Sequence, residues 1–354
     1  MTDKSPVAEG PLVPENDWIT LLKDNARTGG QGAPLLPSPG KARWQTRVGS
    51  SIRTAPVLRE GTLYVTSTSG FLHAIRTDDG QVKWKFKAGG PIHSTPAVSG
   101  EMVLFGCDDT KVYAVNGESG AKMWEAKSDG EVWASPVVRQ GTVFFGSGDG
   151  HMYAVDARTG KLRWKVQMGG RVHSTAYATE NKLYVGCGDG NVHCLEAQTG
   201  KVFWSTLTGN GIDSSAALVG GTLLIGSQDF FVYALDAGNG KVLWKYETGM
   251  GVSSSPAVNG EVTVIGSKDG YLYALETATG KLRWKVLAGE VITAPAVFGD
   301  SVVYLQSWGL LALDAATGKV LWRAGLGEAV QGAPVIAGQT MYLASNSGDV
   351  YALE

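Results

Sequence analysis

The chain has 354 residues, and 49 of them are Gly, about twice the usual share of roughly 7%, which favours many turns over long helices. Lys+Arg 31 against Asp+Glu 33 leave a formal charge of -2 with no basic or acidic block, so electrostatic capture of a nucleic-acid backbone is disfavoured. No apolar run approaches the 18 or more residues that a bilayer demands, so no direct membrane span is expected.

Residues 1–40 read as an extended arm, with Pro at positions 6, 11, 14, 34, 37 and 39. Within it, segment 17–29 is expected to form a short amphipathic turn or helix that packs Trp18 and Leu22 on the domain behind it, as a cap or spacer. The first residues show no apolar signal segment with a small-residue cleavage site, which leaves a cytoplasmic chain or a trimmed signal as alternatives.

From residue 41 onward a repeat takes over. Tryptophans fall at Trp44, Trp84, Trp124, Trp164, Trp204, Trp244, Trp284 and Trp322, six intervals of 40 residues and a last one of 38. In the third unit a strand starting near Ser135 is followed by a turn at Gln140-Gly141, TVFFGS by a turn at Asp149-Gly150, HMYAVD by a turn at Thr159-Gly160, and KLRWKV closes the unit. Apolar alternation between such turns predicts hairpins, with both residues of each Asp-Gly turn at positive φ. Each unit is therefore a four-stranded antiparallel meander, and a lone meander cannot bury both faces. Eight of them, stacked radially, predict an all-β, eight-bladed β-propeller over residues 41–354. The segment around 41–46 is expected to supply the outermost strand of the blade made by 331–354, closing the ring without a free edge.

The string from Ala154 to Trp164, AVDARTGKLRW, and that from Ala312 to Trp322, ALDAATGKVLW, share the pattern A-x-D-x-x-T-G-K-x-x-W. It resembles the tryptophan-docking motif of the pyrroloquinoline quinone (PQQ) repeat, found in quinoprotein-like eight-bladed propellers. The resemblance implies that each of the eight tryptophans packs on small Ala and Gly positions of the next blade. Arg76 and Asn116 replace the Asp of the pattern, and Asp79 and Ser119 the Thr, so the first two joints are expected to be looser.

Cys107, Cys187 and Cys194 form no C-x-x-C pair and are expected to be free thiols; the first two replace a recurrent Ser, the third a recurrent Ala, so they read as small packing residues. The recurrent Asp109, Asp149, Asp189, Asp229 and Asp269 read as turn chemistry. No nucleophile elbow or H-E-x-x-H string is present, and GSGDG and GCGDG join strand to strand, so they are not phosphate cradles.

Function is sought where equivalent positions stop being alike. One variable register carries Arg53, His93, Trp133, His173, Asp213, Ser253, Thr293 and Gln331, each after an Ile or Val expected to point between blades. A second, at the tip of the middle hairpin, carries Thr68, Asp108, Gly148, Gly188, Gln228, Lys268, Trp308 and Asn346. Strand alternation places both on one face, at the mouth of the central channel, with Arg53 opposite Asp213. The first ring is expected to bind a small anionic or aromatic molecule, with Arg53 on a carboxylate, Trp133 stacking, and His93, His173 and Asp213 as donors or metal ligands; the competing reading is a hydrated channel mouth. The resemblance implies a monomeric, non-catalytic binding or scaffolding propeller of BamB-like repeat architecture, with a protein partner or that small ligand, and by resemblance an exported, periplasmic location, although no lipobox Cys lies near the start. No cofactor is expected in that case. The alternatives are a minimal quinoprotein oxidoreductase holding PQQ and calcium at Arg53, Trp133 and Asp213, and a sensor or carbohydrate-binding propeller. The adjacent-cysteine disulfide of the quinoprotein enzymes has no counterpart here.

Overall fold

Alternating apolar and polar residues between glycine turns give each 40-residue unit four short strands, and the computed structural model, which describes residues 35, 36, 38, 42–307, 309–325 and 332–354, arranges them as eight four-stranded antiparallel sheets. No helix occurs among the described residues. In the third blade Val137–Arg139 pairs with Thr142–Gly146, that with His151–Asp156, and that with Leu162–Gln167. The short first strands of successive blades touch one another, which sets them around the axis. The ring closes as expected: Ala42–Arg47 pairs with Asp349–Leu353, Trp44 opposite Ala352, and completes the eighth blade. Segment 17–29 lies outside the described residues.

The second and third strands of each blade are buried almost throughout, because neighbouring blades cover both of their faces, whereas the outermost strand alternates between exposed and part-buried. Every tryptophan of the period faces a small residue across the sheet: Ala74, Ala114, Ala154, Cys194, Ala234, Ala274, Ala312 or Ala352. In the first seven the indole then lies over a turn glycine of the next blade; a Cβ built on Gly80, Gly120, Gly160, Gly200, Gly240, Gly280 or Gly318 would stand 2.5–2.7 Å from the ring. The indole N–H donates to a backbone carbonyl in the same turn, as from Trp44 to Thr77 and from Trp124 to Ala157, both at 2.9 Å.

The first two turns are not looser. Trp84 reaches Gly117 O at 2.9 Å like the others, and Asn116 Oδ1 accepts from both the Ser119 amide and hydroxyl at 3.0 Å, reproducing the Asp156–Thr159 pair. Arg76 instead pairs with Asp78, while Asp79 Oδ1 accepts the Gln81 amide at 2.9 Å. The Asp-Gly turns also differ from expectation. Gly150, Gly190 and Gly270 have positive φ but their Asp partners do not; the paired positive φ values fall at Glu60-Gly61, Gln140-Gly141 and Gly220-Gly221. The Asp is used through its carboxylate: Asp149 accepts from the amides of His151 and Asp129 at 2.9 Å and from the Tyr153 hydroxyl at 2.5 Å, tying hairpin to the preceding crossover.

At the last joint the arm takes part. No eighth turn of this kind receives Trp322, and its indole N–H donates to Leu36 O at 2.9 Å while the Leu36 amide donates to the Tyr304 hydroxyl at 2.7 Å. The Leu36 side chain is buried in the core shared by the seventh and eighth blades.

Candidate binding face at the channel mouth

The crossover into each blade is fixed by the Ile or Val that precedes the variable position. Ile52, Ile92, Val132, Val172, Ile212, Val252 and Ile292 are all fully buried. Five of them press on a strand-end glycine: a Cβ at Gly106, Gly146, Gly186, Gly226 or Gly266 would come within 2.2–2.4 Å of the branched side chain. A ring of hydroxyls holds the next turn. The amides of Thr95, Ser135, Thr175 and Ser215 donate to the side chains of Ser135, Thr175, Ser215 and Ser255, each one blade further on, at 2.9–3.2 Å. The residues between these two anchors are those of the first variable register. Arg53, Trp133, Asp213 and Thr293 are exposed, and His93, His173 and Ser253 part-buried; Gln331 and Trp308 lie outside the described residues.

The two variable registers meet. Trp133 donates through its indole N–H to Asp108 Oδ1 at 2.7 Å, and His93 Nε2 stands 3.6 Å from the other oxygen of the same carboxylate. The Trp133 ring stacks on His173 at 4.5 Å between centroids and meets His93 at 5.1 Å. Further round, Gln228 donates to Asp213 at 2.8 Å and to Ser253 at 2.6 Å, and Lys268 donates to the Gln228 carbonyl at 2.9 Å. Thr68 shares a 3.2 Å contact with Ser50. Arg53 and Thr293 are joined to none of these by a hydrogen bond or ion pair among the described residues.

Glu131 was not singled out in the sequence and belongs here. Its side chain lies over Gly148, where a Cβ would collide with the carboxylate, and Oε1 stands 3.5 Å from His173 Nε2. Burial lowers the His173 pKa first, and Arg171 lowers it further, against Asp213 and Glu131, which raise it. Three carboxylates, Asp108, Glu131 and Asp213, thus surround an aromatic stack, an arrangement less suited to an anion than the sequence suggested. The expected grouping of His93, His173 and Asp213 as metal ligands does not form, because Trp133 stands between the two imidazoles.

Two apolar residues were also missed. Phe230 takes a turn position that is Gly in several other blades, at φ 80° and 46% exposed. Met250 is exposed beside it; the Thr248 hydroxyl bonds both their carbonyls, at 2.7 and 2.6 Å.

The fold defines the class: an eight-bladed propeller of four-stranded antiparallel blades. The chain belongs to the PQQ-repeat family described as outer membrane protein assembly factor BamB, which matches residues 33–131, 93–231, 188–302 and 289–354. Among solved structures it is similar to BamB from Moraxella catarrhalis (17% identity, TM-score 0.78, covering 90% of this chain and 100% of that one). It is similar also to quinohemoprotein alcohol dehydrogenase from Comamonas testosteroni (17%, 0.81, 96% and 80%) and to a europium-containing methanol dehydrogenase (15%, 0.80, 94% and 89%). At these identities the likeness is one of fold. A search of curated proteins finds no match.

Proposed function

We propose that this propeller is a non-catalytic scaffold that binds a protein partner through the channel-mouth face. One observation carries the reading: Trp133 is 41% exposed yet held on its edge by Asp108 and on its flanks by His93 and His173. A large rigid ring kept in water with its polar handle already satisfied has the character of an interface anchor, contributing contact area at small entropic cost. Phe230 supports it. An aromatic residue in a left-handed turn, exposed where glycine would be unstrained, gains nothing for the fold and offers apolar surface to a partner.

The residues present do not fit PQQ. A planar quinone carrying three carboxylates calls for cations and an open stacking surface. The described mouth sets Asp108, Glu131 and Asp213 beside the stack, imidazoles flank the indole, and of the cations in the two registers Lys268 is engaged by Gln228, which leaves Arg53 alone against three carboxylates. Calorimetric titration with PQQ, with and without calcium, is therefore expected to give no heat, and tight calcium-dependent binding would move the protein to the quinoprotein enzymes. Trp133→Ala and Phe230→Gly are each expected to lose the partners that the wild-type chain captures from extracts of its host while melting within a few degrees of it. Unchanged capture by both variants overturns the reading.

A further inference from the structure

We propose that Cys187, Asp189 and His193 form a site for one divalent transition-metal ion of the zinc type in the fourth blade, independent of the channel-mouth face. Cys187 follows the strand Lys182–Gly186, Asp189 sits in the turn, and His193 lies on the returning strand Asn191–Glu196. Their ligand atoms all lie within 4.8 Å of one another. His193 Nε2 and Asp189 Oδ2 are 3.3 Å apart, the edge that two ligands about 2.0–2.1 Å from a tetrahedral ion would span.

The repeat supplies its own control. In the third, fifth and sixth blades the same three positions are Ser147, Asp149 and Tyr153, then Ser227, Asp229 and Tyr233, then Ser267, Asp269 and Tyr273, with each tyrosine hydroxyl donating to the Asp at 2.5–2.7 Å. Packing therefore requires neither a thiol nor an imidazole. The second blade has a thiol but keeps tyrosine, as Cys107, Asp109 and Tyr113; the first has His73 but Ser67 and Ser69. In the fourth blade both replacements coincide around an aspartate.

A fourth change accompanies them. The residue facing position 193 on the outer strand is Lys85, Glu125, Lys165, Lys245, Lys285 or Arg323 at the matching place in six other blades, and Ser205 here. Ser205 Oγ lies 2.7 Å from His193 Nδ1, the partner that orients a ligating imidazole and leaves Nε2 to the ion, and no cation stands in that place to compete. Thiolate, carboxylate and neutral imidazole balance a divalent charge, and the sulfur selects zinc-type ions over calcium or magnesium. The Cys187 thiol is buried and directed at Gly170 O at 3.3 Å; loading breaks its S–H bond, forms a sulfur–metal bond and releases one proton to solvent.

The test is titration of the chelator-treated full chain with cobalt(II) chloride, followed by absorption, then displacement with zinc chloride. One equivalent is expected to give tetrahedral visible bands and a thiolate-to-cobalt charge-transfer band in the near ultraviolet, lost on adding zinc, with affinity rising with pH. Cys187→Ser removes the charge-transfer band. The pair His193→Tyr and Ser205→Lys, which restores what neighbouring blades carry and so keeps the fold, lowers affinity at least a hundredfold, with circular dichroism and melting confirming native structure. Cys107→Ser changes nothing. A wild-type chain without the charge-transfer band overturns the site, and so does a band that survives in the Cys187 variant or an affinity unchanged in the His193 variant.

Discussion

Trp133 and His73 are both aromatic residues placed by the same repeat, and their surroundings give them opposite characters. Trp133 follows a valine locked against Gly106 and ends in water, with its indole N–H already bonded. His73 stands inside the first blade where other blades have tyrosine, buried, with Nδ1 lacking a hydrogen-bond partner. Burial first, and Lys85 second, bring its pKa from 6.5 down to about 4. Above pH 6.5 the imidazole is neutral in folded and unfolded chains alike, and it contributes no pH dependence. As pH falls from 6.5 toward 4 the unfolded chain takes up the proton and the folded one does not, so stability declines, by about 3 kcal/mol in all. His73→Tyr, matching Tyr113, Tyr153, Tyr233 and Tyr273, is expected to flatten that decline. Melting temperatures of the two proteins between pH 7 and 4 check it; parallel curves would contradict the assignment. His173 and His193, also lowered chiefly by burial, and carboxylates held below their usual range, Asp149 and Asp269 among them, supply the residual slope.

At the scale of the blade, what was legible in the sequence is what packing repeats. Trp164 recurs because its ring must lie on Gly200, across from Ala154, with its N–H on Ala197 O at 3.0 Å, and any blade that failed to repeat this would leave a gap. Trp164→Ala is accordingly expected to cost about 3–5 kcal/mol, as a large-to-small change at a closely packed joint. Chemical denaturation measures it directly, and a near-neutral result would mean that the indole does not hold the blades together. The hydroxyl ring from Thr95 to Ser255 escaped notice because serine and threonine in a crossover look like ordinary turn residues; only the structure shows that each serves the amide of the preceding blade. The pairing of Asp108 with Trp133 and of Gln228 with Asp213 was hidden for a related reason. Both registers were visible, but which tip meets which crossover depends on the stagger between blades, and no local pattern encodes that. Phe230 was legible in principle, since it interrupts a position that is Gly70, Gly150, Gly190 and Gly270 elsewhere.

Across the whole molecule, stability depends on closing a ring whose two ends come from the two ends of the chain. Ala42–Arg47 pairs with Asp349–Leu353; the exposed pair Arg43–Glu354 decorates that seam without adding much, while Arg47 reaches the buried Asp349 carboxylate at 3.1 Å. Leu36 then does at the last joint what a turn carbonyl does at the other seven, accepting the Trp322 indole and filling the core beside Tyr304 and Met341. These are separable contributions. Removing residues 1–40 leaves the closing strand in place but takes away, among the described residues, the buried Leu36 and its carbonyl acceptor, a loss of about 2–4 kcal/mol that is expected to lower the melting point by several degrees while unfolding stays cooperative. Removing residues 1–47 also strips the outer edge of the eighth blade and exposes the unpaired edge of Asp349–Leu353, so that chain is expected to associate or aggregate through strand pairing. Size-exclusion chromatography and thermal melts of the two truncations distinguish the cases. If the shorter truncation melts with the full chain, Leu36 plays no part in closure, and if the longer one stays monomeric with an unchanged melt, the seam strand is dispensable and the ring is held by its blade-to-blade joints alone.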